Sequence, residues 1–208
     1  MENKVLLSTA YFPPITYMSV LAKNKEVTIE TQENFQKQTY RNRTKILSAN
    51  GPMNLVVPVI KGRSAKKTLI TEIKIDYTTD WQTNHIRSIK AAYASSPFFD
   101  FYFDQIENVI MHKHIYLFDL NFDILHTVMN IAGLNTEIRK STLFEAPGCC
   151  PGDYRNVISP KNKQEPINNK PYIQVFEDKF GFTPGLSVLD LIFNLGPESA
   201  AYLKSLEI

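Results

Sequence analysis

The sequence predicts an α/β or α+β fold: a mixed sheet including a central β-hairpin, covered by a layer of three helices, with a small helical C-terminal extension. Three observations predict it. The chain opens strand–helix–strand, the start of a layered α/β or α+β domain. Asn50-Gly51 lies between two β-prone runs, Thr44–Ser48 and Leu55–Ile60, and Asn-Gly is the strongest short-range hairpin signal because both residues tolerate positive φ. Three apolar stripes at helical spacing then follow one another between Trp81 and Ala132.

The first strand is Lys4–Thr9, apolar and β-prone, and Ala10-Tyr11-Phe12-Pro13-Pro14 stops it. A helix starting at or after Pro14 runs over Ile15–Ala22. Val27–Glu30 is the second strand, and Gln32–Gln38 is a polar loop or short helix. In the hairpin, Pro52 and Met53 lengthen the connection, and Pro58 places the second run at an edge or a bulge because it cannot donate to a ladder. Gly62–Lys67 is a basic loop by composition. Thr68–Asp76 alternates, with Leu69, Thr71, Ile73 and Ile75 on one face, which predicts a half-buried strand.

The three helices are Trp81–Ala94, Phe98–Met111 and Phe118–Ala132, the second started by Pro97 and the third ended by Gly133. Their aromatic stripes read as core. Glu137–Leu143 is a further strand, and Glu145–Lys170, rich in Pro, Gly, Asn and Lys, is a long loop. Long loops in compact domains are usually functional or disordered. Ser187 caps a helix over Ser187–Leu195 with Asp190 in its first turn, and Pro197–Leu206 is the last helix. The expected division is a mixed α/β core over 1–143, a Pro/Gly/Asn-rich loop over 144–171 and a helical extension over 172–208. Leu189, Ile192, Phe193, Tyr202 and Leu203 are too apolar to leave in water, so the extension should dock on the core.

Composition excludes several classes. The net charge of +2 argues against a broad nucleic-acid interface, which needs a basic face. No stretch approaches the ~20 apolar residues of a spanning helix. The first residues, MENKVLLSTAYFPP, lack a basic n-region, so the expectation is a cytoplasmic protein. Cys149 and Cys150 are adjacent, a spacing that suits neither a disulfide nor a zinc site, so both should be reduced and noncatalytic. There is no G-x-G-x-x-G, P-loop, H-E-x-x-H or G-x-S-x-G. No cofactor or metal site is identified.

The candidate chemistry gathers on a few residues. Arg41-Asn42-Arg43 enters the hairpin behind Tyr40. In a strand Arg41 and Arg43 point to one face, a fork suited to phosphate or carboxylate. No acidic residue lies between Tyr40 and Thr71, and Lys45, Lys61, Arg63, Lys66 and Lys67 add to the same sign. The competing expectation is that Glu30, Glu33 or Asp76 pairs with the arginines as structure. His85, one turn after Trp81, is either an acid/base or a core histidine. Tyr11 follows the first strand, where α/β sheets place ligands. His112 and His114 complement a helix C-terminus.

Taken in order, these segments resemble the WbqC-like proteins of bacterial polysaccharide loci. That family opens with a strand, a Q-P-x-Y-x-P segment and a tyrosine. The matching residues are Thr9-Ala10-Tyr11-Phe12-Pro13 and Tyr17. The family's R-N-R segment corresponds to Arg41-Asn42-Arg43, its V-P-V strand to Val57-Pro58-Val59, and its W-x-x-x-H helix to Trp81 through His85. Tyr93 and Pro97-Phe98-Phe99 follow, and Tyr172–Pro197 is similar to the C-terminal extension of many members. One departure stands out: many members carry His-Gln-Pro where this chain has Ser8-Thr9-Ala10.

The resemblance implies a role in O-antigen or capsule biosynthesis. The activity it implies is transfer of an acyl or aminoacyl (glycyl) group to a nucleotide-linked amino sugar. On that reading Arg41 and Arg43 grip the diphosphate, His85 takes the amine proton, and Tyr11 or Asn42 orients the acceptor. Tyr40, Tyr17 and Trp81 complete the binding residues. Two alternatives stand beside it: a non-catalytic module for an anionic sugar or nucleotide sugar, and a scaffold partner of a glycosyltransferase or other polysaccharide-assembly enzyme through the Glu145–Lys170 loop.

Overall fold

A computed structural model describes residues 4–60, 68–162 and 170–207. The predicted α/β or α+β class holds, though the hairpin is not part of the main sheet. Four parallel strands form one sheet in the order β5-β2-β1-β6, and an antiparallel hairpin, β3–β4, stands apart as its own ribbon. β1 (Val5–Ser8), α1 (Ile15–Lys23) and β2 (Glu26–Glu30) make the opening β-α-β unit, with Leu6 opposite Thr28 and Ser8 opposite Glu30. All four residues of β1 are buried, as expected of a central parallel strand covered on both faces. β5 (Glu137–Lys140) extends the sheet beyond β2, while β6 (Gly152–Asp153) pairs on the opposite side of β1. The direction of strand addition therefore reverses between β1 and β6. At such switch points α/β sheets open a crevice beyond the strands' carboxyl ends.

β6 falls inside the segment expected to be a loop. It is only two residues long, and Gly152 makes it fit. A Cβ on Gly152 would lie 2.2 Å from the Lys4 carbonyl oxygen, so a side chain there would block the pairing.

The hairpin is β3 (Arg43–Ser48) and β4 (Gly51–Val56), joined by Ala49-Asn50. Gly51 takes up φ +102°, a conformation side chains rarely adopt. Pro52 sits within β4 opposite Leu47, so it does not lengthen the connection. β4 ends at Val56, two residues before Pro58. The predicted strand over Thr68–Asp76 is not a ladder. Ile70–Glu72 forms a 3-10 turn, and single bridges join Leu69 to Asn34, Lys74 to Tyr116 and Ile75 to Val59. The alternation buries Ile73 and Ile75, but the segment pairs in turn with three different neighbours. The basic loop Gly62–Lys67 and Lys61 lie outside the described residues.

The helical layer is α2 (Trp81–Tyr93), α3 (Phe99–Met111) and α4 (Leu117–Ile131). α3 packs between α2 and α4, and α2 also packs on β3. Trp81, His85, Ile89 and Tyr93 of α2 and Phe99, Phe103, Ile106 and Ile110 of α3 are buried, the faces the spacing predicts.

After α5 (Glu177–Phe180), α6 (Val188–Leu195) runs through the interior with Val188 through Asn194 buried, and α7 (Ser199–Ser205) packs on α1. Backbone bonds from Ile15 N to Leu186 O (3.0 Å) and from Ser187 N to Lys45 O (2.8 Å) stitch the start of α6 to α1 and β3. The Ser187 hydroxyl accepts from Leu189 N, the expected cap. Asp190 lies in the first turn, as expected, and is buried. It accepts from Tyr172 Oη at 2.5 Å and Gln174 Nε2 at 2.8 Å. With no cation among those partners, burial pushes its carboxyl up to about 6. Cys149 and Cys150 are free thiols with sulfurs 3.8 Å apart.

Candidate functional site

The carboxyl ends of the sheet strands carry a buried ionic network. Glu33, three residues beyond β2, clasps Arg41: Nε donates to Oε1 at 2.8 Å and Nη2 to Oε2 at 2.5 Å. Arg41 Nη2 also reaches the Ser8 hydroxyl at 2.7 Å, at the end of β1. Arg155, just past β6, grips Asp153 with Nε and Nη2 at 2.8 and 2.7 Å and donates to Glu30 at 3.1 Å. Arg41, Arg155, Glu30 and Glu33 are each at least nine-tenths buried. Asp153 stays below the usual carboxylate range: burial pushes it up, but its bonds to Arg155 and to the Gly148 N–H outweigh that. Paired charges this deep tie the strand ends together, because removing one member strands another in low dielectric.

Arg41 and Arg43 therefore do not form the predicted fork. β3 begins at Arg43, and Arg41 turns inward to Glu33 before the strand starts. The same-face pair on the strand is Arg43 and Lys45. With Lys161 they line a cavity of about 510 Å³ over the hairpin, shared with Tyr40, Asn54 and Asn162. No carboxylate lines it, and none of the three cations forms an ion pair among the described residues. The volume lies within the ~300–1,000 Å³ of small-molecule sites. Three unpaired cations facing one space favour an anion there.

A second cavity, about 690 Å³, opens over the ionic network between Glu33, Arg155, Phe144 and Lys161. A third, about 500 Å³, lies on the other side of Arg43 against Phe35, Val56 and Pro58. Gln38 lines all three. It is exposed and holds φ +60°, one of only two non-glycine residues with positive φ among the described residues. Left-handed backbone at an ordinary residue costs of order 1 kcal/mol and concentrates at functional sites. Sequence reasoning passed over Gln38 because nothing in a polar loop announces its φ. The other strained residue, Phe12, is buried where β1 turns toward α1, and its carbonyl accepts from Thr44 and Ser187.

His85 and Tyr11 meet in the core between α2 and the hairpin. Tyr11 Oη and His85 Nδ1 are hydrogen-bonded at 2.8 Å. Burial lowers the imidazole to about 4, so the ring is neutral, and burial raises the Tyr11 hydroxyl well above its ordinary value. Neither residue lines any of the three cavities. Trp81 packs edge-on to the His85 ring with centroids 5.2 Å apart. Tyr17 donates to the Ser8 carbonyl at 3.0 Å. Asn42 Nδ2 donates to Val57 O at 2.9 Å, leaving Asn42 Oδ1 buried without a partner. His114 bonds Asp123 at 2.8 Å. Among the described residues, no group of three His, Cys, Asp or Glu is placed to hold a metal ion, and no helix is long and apolar enough to cross a membrane.

With this geometry in place, comparison with known proteins decides the family. The WbqC-like protein family matches residues 9–151, a span from the end of β1 to the start of β6. The chain belongs to the WbqC-like protein family. An uncharacterized protein of Mycobacterium tuberculosis (strain ATCC 25618 / H37Rv), Rv1507c, is 26% identical over 230 residues, covering 98% of each chain. No solved structure matches. Within this WbqC-like chain the matched span holds Glu33, Arg41 and the whole hairpin, whereas Arg155, Lys161 and α6 lie beyond it.

Proposed function

We propose that this WbqC-like protein binds a nucleotide-linked amino sugar and serves bacterial surface-polysaccharide assembly, with the diphosphate held over the hairpin. The observation that carries this reading is the cavity lined by Arg43, Lys45 and Lys161 with no carboxylate. A guanidinium offers a planar pair of donors to a phosphate, and the two ammonium groups add point charge. Tyr40 and Asn54 line the same space as neutral partners. Arg41 takes no part in the contact. It fixes Glu33 and Ser8 at the strand ends, beneath the adjoining cavity.

The test is calorimetric titration of the full chain with UDP-N-acetylglucosamine. Binding is expected, and Arg43→Ala or Lys45→Ala should each weaken it about tenfold, since a hydrogen bond to a charged group contributes ~1.5–3 kcal/mol. Ligand at about 100 times Kd should stabilise the fold by about 2.7 kcal/mol. Absence of binding by the wild type would overturn the reading.

A further inference from the structure

Arg43 is shared between two cavities of different character. On one side lies the cationic cavity with Lys45 and Lys161. On the other lies the space walled by Phe35, Val56, Val57, Pro58 and Val59, with Asn42 and Asp76 on the same wall. Val56 is 39% exposed there, an apolar surface left open among the described residues. Two residues of this wall also carry unsatisfied polar atoms. Asn42 is more than nine-tenths buried and its Oδ1 is an acceptor without a partner, and Arg43 Nε is a donor without one. Orphaned buried groups of this kind are rare in folded proteins and call for an explanation.

We propose that the apolar-walled cavity is a nucleoside subsite that takes a nucleobase, with the attached diphosphate passing Arg43 into the cationic cavity. This inference rests on the anion-binding reading above and adds the nucleoside contact to it. Phe35, Val56 and Pro58 supply the flat apolar contact that a heterocycle needs. A nucleobase edge sets a donor beside an acceptor, as in the imide of uracil or N4–H and N3 of cytosine. It complements one buried acceptor, Asn42 Oδ1, and one buried donor, Arg43 Nε, that lack partners among the described residues. Asp76 brings a carboxylate to the same wall, the group that accepts from ribose hydroxyls in other nucleotide sites. Gln38, at the mouth of both cavities, faces the linkage between nucleoside and phosphate.

The experiment is calorimetric titration of the full chain with UDP, CDP and inorganic pyrophosphate, repeated on Val56→Ser. UDP and CDP should each bind the wild type at least tenfold more tightly than pyrophosphate. Val56→Ser should weaken UDP about fivefold and leave pyrophosphate unchanged, which also shows that the variant keeps its fold. Equal affinity for UDP and pyrophosphate would overturn the nucleoside subsite while the anion site stands. Failure of all three to bind would overturn the subsite together with the reading it rests on.

Discussion

Arg41 and Arg43 stand two residues apart in the same R-N-R segment and live in opposite surroundings. Arg41 is 3% exposed, held by both oxygens of Glu33 and by Ser8, and belongs to a network that locks the ends of the parallel strands. Arg43 is half-buried, has no carboxylate partner among the described residues, and faces two cavities. The difference teaches that charge type in a motif does not assign its role. What decides is whether the fold delivers a counter-ion. β2 ends three residues before Glu33 and delivers one to Arg41, while Arg43 faces Lys45 and Lys161 and forms no ion pair among the described residues.

The sharpest way to break this contrast is substitution of each arginine in turn. Arg41→Ala should cost about 3–5 kcal/mol, because Glu33 is left buried and unpaired. Arg43→Ala should change stability by less than about 0.5 kcal/mol, as for surface positions. Chemical denaturation of both variants checks this, and equal losses would erase the distinction.

The second comparison sets the ionic network against the two buried groups that have only neutral partners. Asp190 is raised to about 6, so the folded state keeps its proton where the unfolded chain has lost it. Its contribution is complete below pH ~4 and is lost as pH rises through about 6. His85 is lowered to about 4, so the unfolded chain takes a proton first, and stability falls as pH drops from ~6.5 toward about 4. The two slopes oppose each other across the same window, each worth roughly 3 kcal/mol. Measured against the wild type, Asp190→Asn should gain relative stability as pH rises from 4 to 7. His85→Gln should gain it as pH falls over the same range. Parallel profiles for variant and wild type would show that burial does not shift these groups.

Much of the fold was legible, for reasons visible in particular elements. The helices over Trp81–Ile131 follow a 3.6 period that few other structures tolerate, and Asn50-Gly51 marked the hairpin. What failed was long-range. Thr68–Asp76 alternates like a strand, but alternation records burial of Ile73 and Ile75 and cannot report that no single partner strand runs alongside. β6 hides in a Pro/Gly loop because two residues have no period, and only the 2.2 Å clearance at Gly152 reveals the need for glycine. At the site, Glu33 stood among the carboxylates expected to compete for the arginines, yet nothing local said that it would take Arg41 and spare Arg43. Lys161 was invisible as a partner of the hairpin because more than a hundred residues separate it from Lys45.

A smaller effect sharpens the cavity side of the comparison. Gln38→Gly should relieve the left-handed backbone and raise the melting midpoint by about 2–4 °C, equivalent to ~1 kcal/mol in a chain of this size. The same change should weaken UDP binding, because the side chain that borders all three cavities is gone. A lower midpoint would mean that Gln38 serves the fold and not the ligand.

The contrast between the two arginines is tested most directly by nitrogen-15 NMR of their side-chain Nε–H groups during titration with UDP-N-acetylglucosamine. Arg41 Nε is bonded to Glu33 and Arg43 Nε has no partner, so each reports on its own surroundings. The Arg43 signal should move with ligand while that of Arg41 stays fixed. Movement of Arg41 with Arg43 unmoved would contradict the division of labour between them.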